Sequence, residues 1–217
     1  MRCLPLGVNA RLFEYNPYSS TLRNHIDEQT GLQLTFDFSK DHSEPLILHE
    51  QCGGGTQSLE LLRFLTLSER LKREANGALS SIPSTYAAVH IRNTDHKTDY
   101  RPFLTDLRMA LSGRNVLVCC DDVHAITFAK TVLADSNVFT VTLTMDLGGR
   151  PLHRRENHQT AAARGVSADN SLIDLIALGR ATELHFAKVA TGGVSGFSRL
   201  ANALRDNPKV LQQLLHE

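Results

Sequence analysis

Tryptophan is absent from this 217-residue chain, cysteine occurs four times, and lysine plus arginine (23) equals aspartate plus glutamate (23). Cys3, Cys52, Cys119 and Cys120 form neither a CxxC pair nor a Cys/His zinc spacing, and they make no secreted disulfide framework. A reducing, cytoplasmic setting is the expectation. A net charge of zero leaves no global field to attract a nucleic-acid backbone, so any anion recognition must be local. Long apolar runs are missing too. The longest, such as "SLIDLIALG", are interrupted or too short to span a bilayer, and the start "MRCLPLGVNARLFEYN" lacks the apolar core of a signal peptide. The chain is therefore expected to be soluble, or at most peripheral to a membrane.

What is present is a change of texture near residue 85. Before it, "TLRNHIDEQT" reads as a short helix, while "LQLTFDF" and "EPLILHE" read as strands. Beyond Gly53, Gly54 and Gly55 follows a helical stretch with Leu59, Leu62 and Leu71 on its faces, and Thr66 to Glu69 has the spacing of a capping box. From residue 86 short strands and helices alternate: strand "YAAVHI", helix "PFLTDLRMALS" ended by Gly113, strand "NVLVCC", helix "DVHAITFAKTVLA", strand "VFTVT". A helix at "SLIDLIALG", a strand at "TELHFA" and terminal helices from "GFSRLANAL" complete the series. That alternation predicts an α/β fold with a parallel, Rossmann-like sheet flanked by helices over residues 86–217, after a short, incomplete α/β region over residues 1–85. Ligands of such sheets gather beyond the carboxyl ends of the strands, which directs attention to the loops after Ile91, Cys120 and Phe186.

The first of these loops carries His90, Arg92, Thr94 and Asp95. Arg92 offers a planar, permanently charged fork to a phosphate, and Asp95 is placed to hold that fork; the plainer alternative is a core histidine followed by a surface ion pair. After the second strand, Asp121 and Asp122 are either two ligands for a divalent cation or the cap of the next helix. Asp174 interrupts the apolar run Leu172-Ile173-Asp174-Leu175-Ile176, and a buried carboxylate needs donors. A guanine Watson–Crick edge supplies two adjacent ones, and a capping-box arrangement with Ser171 is the local alternative. The polar segment "GGRPLHRRENHQTAAARGVSADN", with Arg150, His153, Arg154, Arg155, His158 and Arg164, reads as a lid over a pyrophosphate or as a solvated basic loop. In "TGGVSGFSRLANAL" the small residues Gly192 and Gly193 lead to Ser195 and a helix start. That is either an anion site to which Ser195 or Ser198 adds a hydroxyl, or simple N-capping. "CGGGTQS" lacks the lysine and spacing of a Walker motif.

Taken in order, "VHIRNTD", "PLH", "SLIDLIALGRATEL" and "SGFSRLA" resemble the motif regions of the fucosyltransferase superfamily that includes α1,6-, nodulation-factor and protein O-fucosyltransferases. The likeness runs from about Tyr86 to Leu204 and covers the donor-binding half. It implies the second Rossmann-like domain of a GT-B fold, a bacterial-type cytoplasmic enzyme, and inverting, metal-independent transfer of fucose from GDP-fucose or a related GDP-sugar, with no other cofactor. The acceptor implied is a glycan, a lipid-linked sugar or a protein. Carried onto matching positions, the resemblance implies Arg92 as the catalytic residue on the β-phosphate, and His90, Arg92, Asp174 and Ser195 as the donor-binding set, Asp174 reading guanine. His153 falls in a Leu-His pair similar to the family's middle motif, as a supporting or lid residue, and Asp95 and Ser198 remain the candidate supports read from the residues themselves. The α1,6 and α1,2 branches resemble "HxRRxD", whereas Asn93 stands at the second arginine here, as the protein O-fucosyltransferase branch also lacks it. About 85 residues precede the motif, which is short for a first GT-B domain. The readings are then a fragment, a truncated frame, or an enzyme whose homo-oligomer or other partner completes the acceptor site. A non-catalytic GDP-sugar-binding domain and an unrelated metal-using Rossmann-like enzyme are the alternatives in function.

Overall fold

The computed structural model describes residues 62–94, 96–144, 161–188 and 194–215, with backbone only at 161–165 and 167 and at two short strands near the start. Those strands are β1 (His25–Ile26) and β2 (Gln33–Leu34), paired antiparallel with His25 opposite Leu34. Ladder bonds to β2 therefore satisfy the backbone at residues 25 and 26, where a short helix was expected. The chain divides into compact units 1–55 and 56–217. The strand expected at "EPLILHE", the Gly53–55 turn and the "CGGGTQS" segment lie outside the described residues.

The second unit contains α1 (Glu69–Ser80). Its cap is Ser68, whose hydroxyl accepts the Leu71 N–H at 3.4 Å, two residues beyond the Thr66 expected from spacing. Leu71, Ala75 and Leu79, four residues apart, form its buried stripe, and the ammonium of Lys72, itself buried, reaches Glu69 at 2.8 Å. α1 packs into the same apolar cluster as the last three helices, although it precedes the boundary expected near residue 85.

Four parallel strands form the sheet: β3 (Ala87–Ile91), β4 (Asn115–Cys120), β5 (Asn137–Phe139) and β6 (Glu183–Phe186), in spatial order β5-β4-β3-β6. Between them run α2 (Tyr100–Leu111), α3 (Val123–Val132) and α4 (Ala161–Arg180), and α5 (Gly196–Asp206) and α6 (Pro208–Leu215) close the fold. Alternation along the strands separates two cores. Ala87, Val89, Ile91, Val116, Val118 and Cys120 pack with α2 and α3, while Tyr86, Ala88, Leu117, Cys119 and Leu184 pack with α1, α4, α5 and α6. Both faces are covered, which accounts for β3 and β4 each being apolar at every position but one.

Local chemistry sets the ends of these elements. Gly113 adopts φ +72° after α2, a left-handed turn that glycine makes without strain, and its N–H donates to the Asp135 carbonyl at 2.8 Å. β5 is shorter than the expected strand "VFTVT", because only Asn137 to Phe139 find partners on β4. α4 is longer than expected: its first ten residues, 161–170, are helical although they carry no apolar stripe. In its second half Ile173, Ile176, Ala177 and Leu178 are buried, and the Tyr86 hydroxyl donates to the Ala177 carbonyl at 2.7 Å. A Cβ on Gly179 would stand 3.1 Å from Leu204 Cβ, so the glycine lets α4 and α5 approach closely.

Candidate functional site at the sheet reversal

From β3 the chain steps to β4 and then β5, and it returns to place β6 on the other side of β3. This order, third, second, first and fourth in chain sequence, is that of a Rossmann-like sheet, in which the reversal places a crevice beyond the carboxyl ends of the flanking strands, here β3 and β6. His90 is the next-to-last residue of β3 and lies opposite Phe186, the last of β6. Period-two alternation puts His90 on the same face as Tyr86 and Ala88, toward α5.

There it meets the start of α5. Nδ1 of His90 lies 2.6 Å from Oγ of Ser198, Ser198 Oγ lies 3.0 Å from Ser195 Oγ, and Ser195 caps the helix by accepting the Ser198 N–H at 3.1 Å. The Phe197 ring rests against the imidazole with centroids 5.0 Å apart. Burial, reinforced by the nearby charge of Arg92, pushes the His90 pKa down to about 3, so the ring is neutral near pH 7. The capping reading of Ser195 is observed, and it engages the Ser198 N–H, while among the described residues the N–H groups of Gly196 and Phe197 in that first turn have no partner. Gly192 and Gly193 lie outside the described residues.

The loop that leaves β3 is organised by the loop that leaves β4. Oδ1 of Asp121 accepts the Asn93 N–H at 2.6 Å; Oδ2 accepts the Thr94 hydroxyl at 2.6 Å and pairs with Nε of Arg92 at 3.2 Å. Asp122 caps α3 through the His124 N–H at 2.9 Å, and its other oxygen accepts Nδ2 of Asn93 at 2.6 Å. Oδ1 of Asn93 accepts the Thr98 N–H at 3.3 Å, and its carbonyl accepts the Lys97 ammonium at 2.7 Å. Both aspartates are thus engaged by donors from this loop and by the α3 cap, and among the described residues no group of three His, Cys, Asp or Glu side chains is arranged to hold a metal. The observed holder of Arg92 is Asp121. Asp95, expected in that role, lies outside the described residues, as do His153 and the rest of the basic segment up to residue 160.

Asp174 sits in the interior of α4, so Ser171 is no helix cap and the capping-box alternative does not hold. Its carboxylate accepts the Thr142 hydroxyl at 2.9 Å and is hydrogen-bonded by the Cys119 thiol. Burial raises the Asp174 pKa to about 6, against the lowering effect of those two donors. The Cys119 thiol is pushed well up, by burial first and then by the aspartate's charge. Cys119 is the register partner of His90 on the adjacent strand, so Asp174 is anchored at the level of His90, one strand spacing away. A carboxylate with two accepted bonds keeps acceptor capacity for a ligand's N–H groups.

Of the residues singled out from sequence, the structure gathers His90, Ser195 and Ser198 into one chain of hydrogen bonds, with the Arg92 charge beside it. Asp174 is held one strand over. Sequence reasoning missed Asp121 as the organiser of the β3 loop and Thr142 as the partner of Asp174. Their contacts span 27 to 32 positions along the chain, and the only local signal was the placement of both residues near strand ends.

The fold is a Rossmann-like α/β sheet with polar groups collected at its reversal point. Comparison with protein-family models, with curated proteins and with solved structures gives no match. Among the described residues no helix is long and apolar enough to cross a membrane.

Proposed function

We propose that the crevice between β3 and β6 binds the diphosphate of a GDP-sugar, and that the chain is a fucosyltransferase-like glycosyltransferase of the GT-B type. In this reading it acts in the cytoplasm on GDP-fucose and on a glycan, lipid-linked or protein hydroxyl. The observation that carries it is the convergence on one crevice of a guanidinium, a neutral imidazole and two helix-start hydroxyls. A helix N-terminus with free N–H groups beside a fixed arginine is chemistry suited to a diphosphate.

The acceptor oxygen attacks the anomeric carbon of fucose, the bond from that carbon to the β-phosphate oxygen breaks, the acceptor hydroxyl's proton is lost to water, and GDP leaves with the added negative charge. Arg92, oriented by Asp121, stabilises that charge; the loss of one such preorganised donor costs about 3–4 kcal/mol in the barrier. Asp174, with its remaining acceptor sites, reads the two adjacent N–H groups of guanine. Neither step needs a metal, and Asp121 and Asp122 serve as struts.

Calorimetry in the presence of a chelator tests the reading with GDP, UDP, GDP-fucose and GDP-mannose. GDP and its fucose conjugate should bind and UDP should not; a protein that binds no guanine nucleotide sinks it. Fucose transfer should then fall by about two to three orders of magnitude in Arg92→Lys, because lysine keeps the charge and loses the fork. Binding without transfer to any acceptor would identify a non-catalytic GDP-sugar-binding domain instead.

A further inference from the structure

The hydrogen-bond chain at the crevice admits two proton arrangements. In one, Nδ1–H of His90 donates to Ser198, Ser198 donates to Ser195, and Nε2 carries a lone pair. In the other, Ser198 donates its proton to Nδ1 and the imidazole hydrogen sits on Nε2. The first offers a ligand an acceptor, the second a donor.

Two distances favour the second arrangement. The Ser198–His90 separation of 2.6 Å is short for an N–H···O bond, whose usual length is about 2.9–3.0 Å, and it falls in the range of hydroxyl donors. The two serine oxygens are 3.0 Å apart, the long limit for O–H···O. Ser198 has one proton, and it belongs on the short contact. Ser198 is buried at 1 % exposure, so water does not compete for that proton, and Phe197 packs against the ring face and restrains its rotation. His90 itself is 7 % exposed, and among the described residues its one side-chain hydrogen bond is that to Ser198. Nε2 is therefore the ring atom left for a ligand.

We propose that Ser198 is a positioning residue: by donating to Nδ1 it keeps the hydrogen on Nε2 of His90, so that the neutral ring presents an N–H to a diphosphate oxygen beside Arg92. The ligand half of this rests on the GDP-sugar reading. The proton placement is a property of the free protein. The opposite tautomer would turn a lone pair toward an anionic oxygen and weaken binding through a ring that had not moved. Ser198 does more here than occupy the first turn of α5, since Ser195 alone caps that turn.

The test has two readouts on the full chain. Long-range 1H–15N correlation spectra of the histidine rings, without ligand near pH 7, should show His90 protonated at Nε2 and bare at Nδ1. Ser198→Ala should shift the ring toward the Nδ1–H form, and Ser198→Thr, which keeps the hydroxyl, should restore the wild-type signature. By calorimetry, GDP should bind Ser198→Ala about tenfold more weakly or worse, the loss expected of one hydrogen bond to a charged group, with Ser198→Thr recovering most of it. A wild-type ring in the Nδ1–H form overturns the proposal without recourse to a variant, as does an unchanged Nε2–H signature in a folded Ser198→Ala protein. A wild-type chain that binds no guanine nucleotide overturns the ligand half whatever the ring shows, whereas normal GDP binding with the wrong tautomer overturns the positioning role alone.

Discussion

His90 and Asp174 pull the stability of this protein in opposite directions as pH falls, because burial disfavours the charged form of each. Between about pH 3 and 6.5 the unfolded chain protonates His90 and the folded one does not, so this group removes stability as pH drops through that window. Asp174 has a folded-state pKa raised from 3.8 to about 6, so the folded protein holds the extra proton there and gains stability as pH drops through that narrower range. The two contributions nearly cancel from about pH 6 to 4, and below that the histidine term acts alone. Above pH 6 the fold carries an ionised, desolvated aspartate. Asp174→Asn should accordingly be more stable than the wild type at about pH 7.5, by roughly 1–3 kcal/mol, with the gap closing by about pH 4. Urea unfolding at the two pH values measures this, and a pH-independent gap would refute it. Asn still accepts the Thr142 hydroxyl, but its amide cannot receive two guanine N–H donors, so the stabler variant should bind GDP less tightly. A residue that weakens the fold at working pH is reasonable at a binding site and has no use in a core.

At the scale of elements, the site depends on two loops that hold each other, and Asn93 is where they join. Its amide N–H, Nδ2, Oδ1 and carbonyl all have partners, two of them carboxylates from the loop after β4. The Asn93 side chain is a buried strut. Asn93→Ala removes two side-chain hydrogen bonds and strands an oxygen of Asp122, so a loss of about 2–4 kcal/mol is expected in chemical denaturation, with Arg92 displaced and transfer activity reduced. A loss below about 0.5 kcal/mol would show that the loops stand independently. None of this could be read locally. The strands and most helices were legible because period-two and period-four apolar patterns and capping residues are local, as at Leu71, Ala75 and Leu79 or at Asp122 before Val123. The first half of α4 was not, since 161–170 is alanine-rich but polar and lacks a stripe. The strand order, the pairing of Asp121 with the Arg92 loop, and the meeting of His90 with Ser198 across 108 positions arise from tertiary packing alone.

For the whole molecule, the position of α1 decides what part of the chain is the folding unit. A boundary near residue 85 matches the change in sequence texture and the start of the motif resemblance, but Leu71, Ala75 and Leu79 are buried in the cluster that also holds Ile173, Ile176, Leu204 and Leu211. Removing α1 would bare the part of that cluster lying against α4 and α6. Each buried leucine contributes about 1.5–3 kcal/mol, so the two leucines alone represent about 3–6 kcal/mol, comparable to the net stability of a domain this size. Two shortened chains separate the possibilities. Residues 56–217 should unfold in a single cooperative transition and bind GDP as the full chain does, since the crevice and its supports all lie within that unit. Residues 86–217, which keep every motif of the resemblance, should instead show a broad, low-denaturant transition or aggregate, because the motifs depend on a helix that precedes them. Equal stability of the two would mean that α1 only rests on the core, and the contribution assigned to its leucines would be wrong. Should the longer piece fold and yet fail to bind GDP as the full chain does, the assignment of the donor site to residues 56–217 would be wrong.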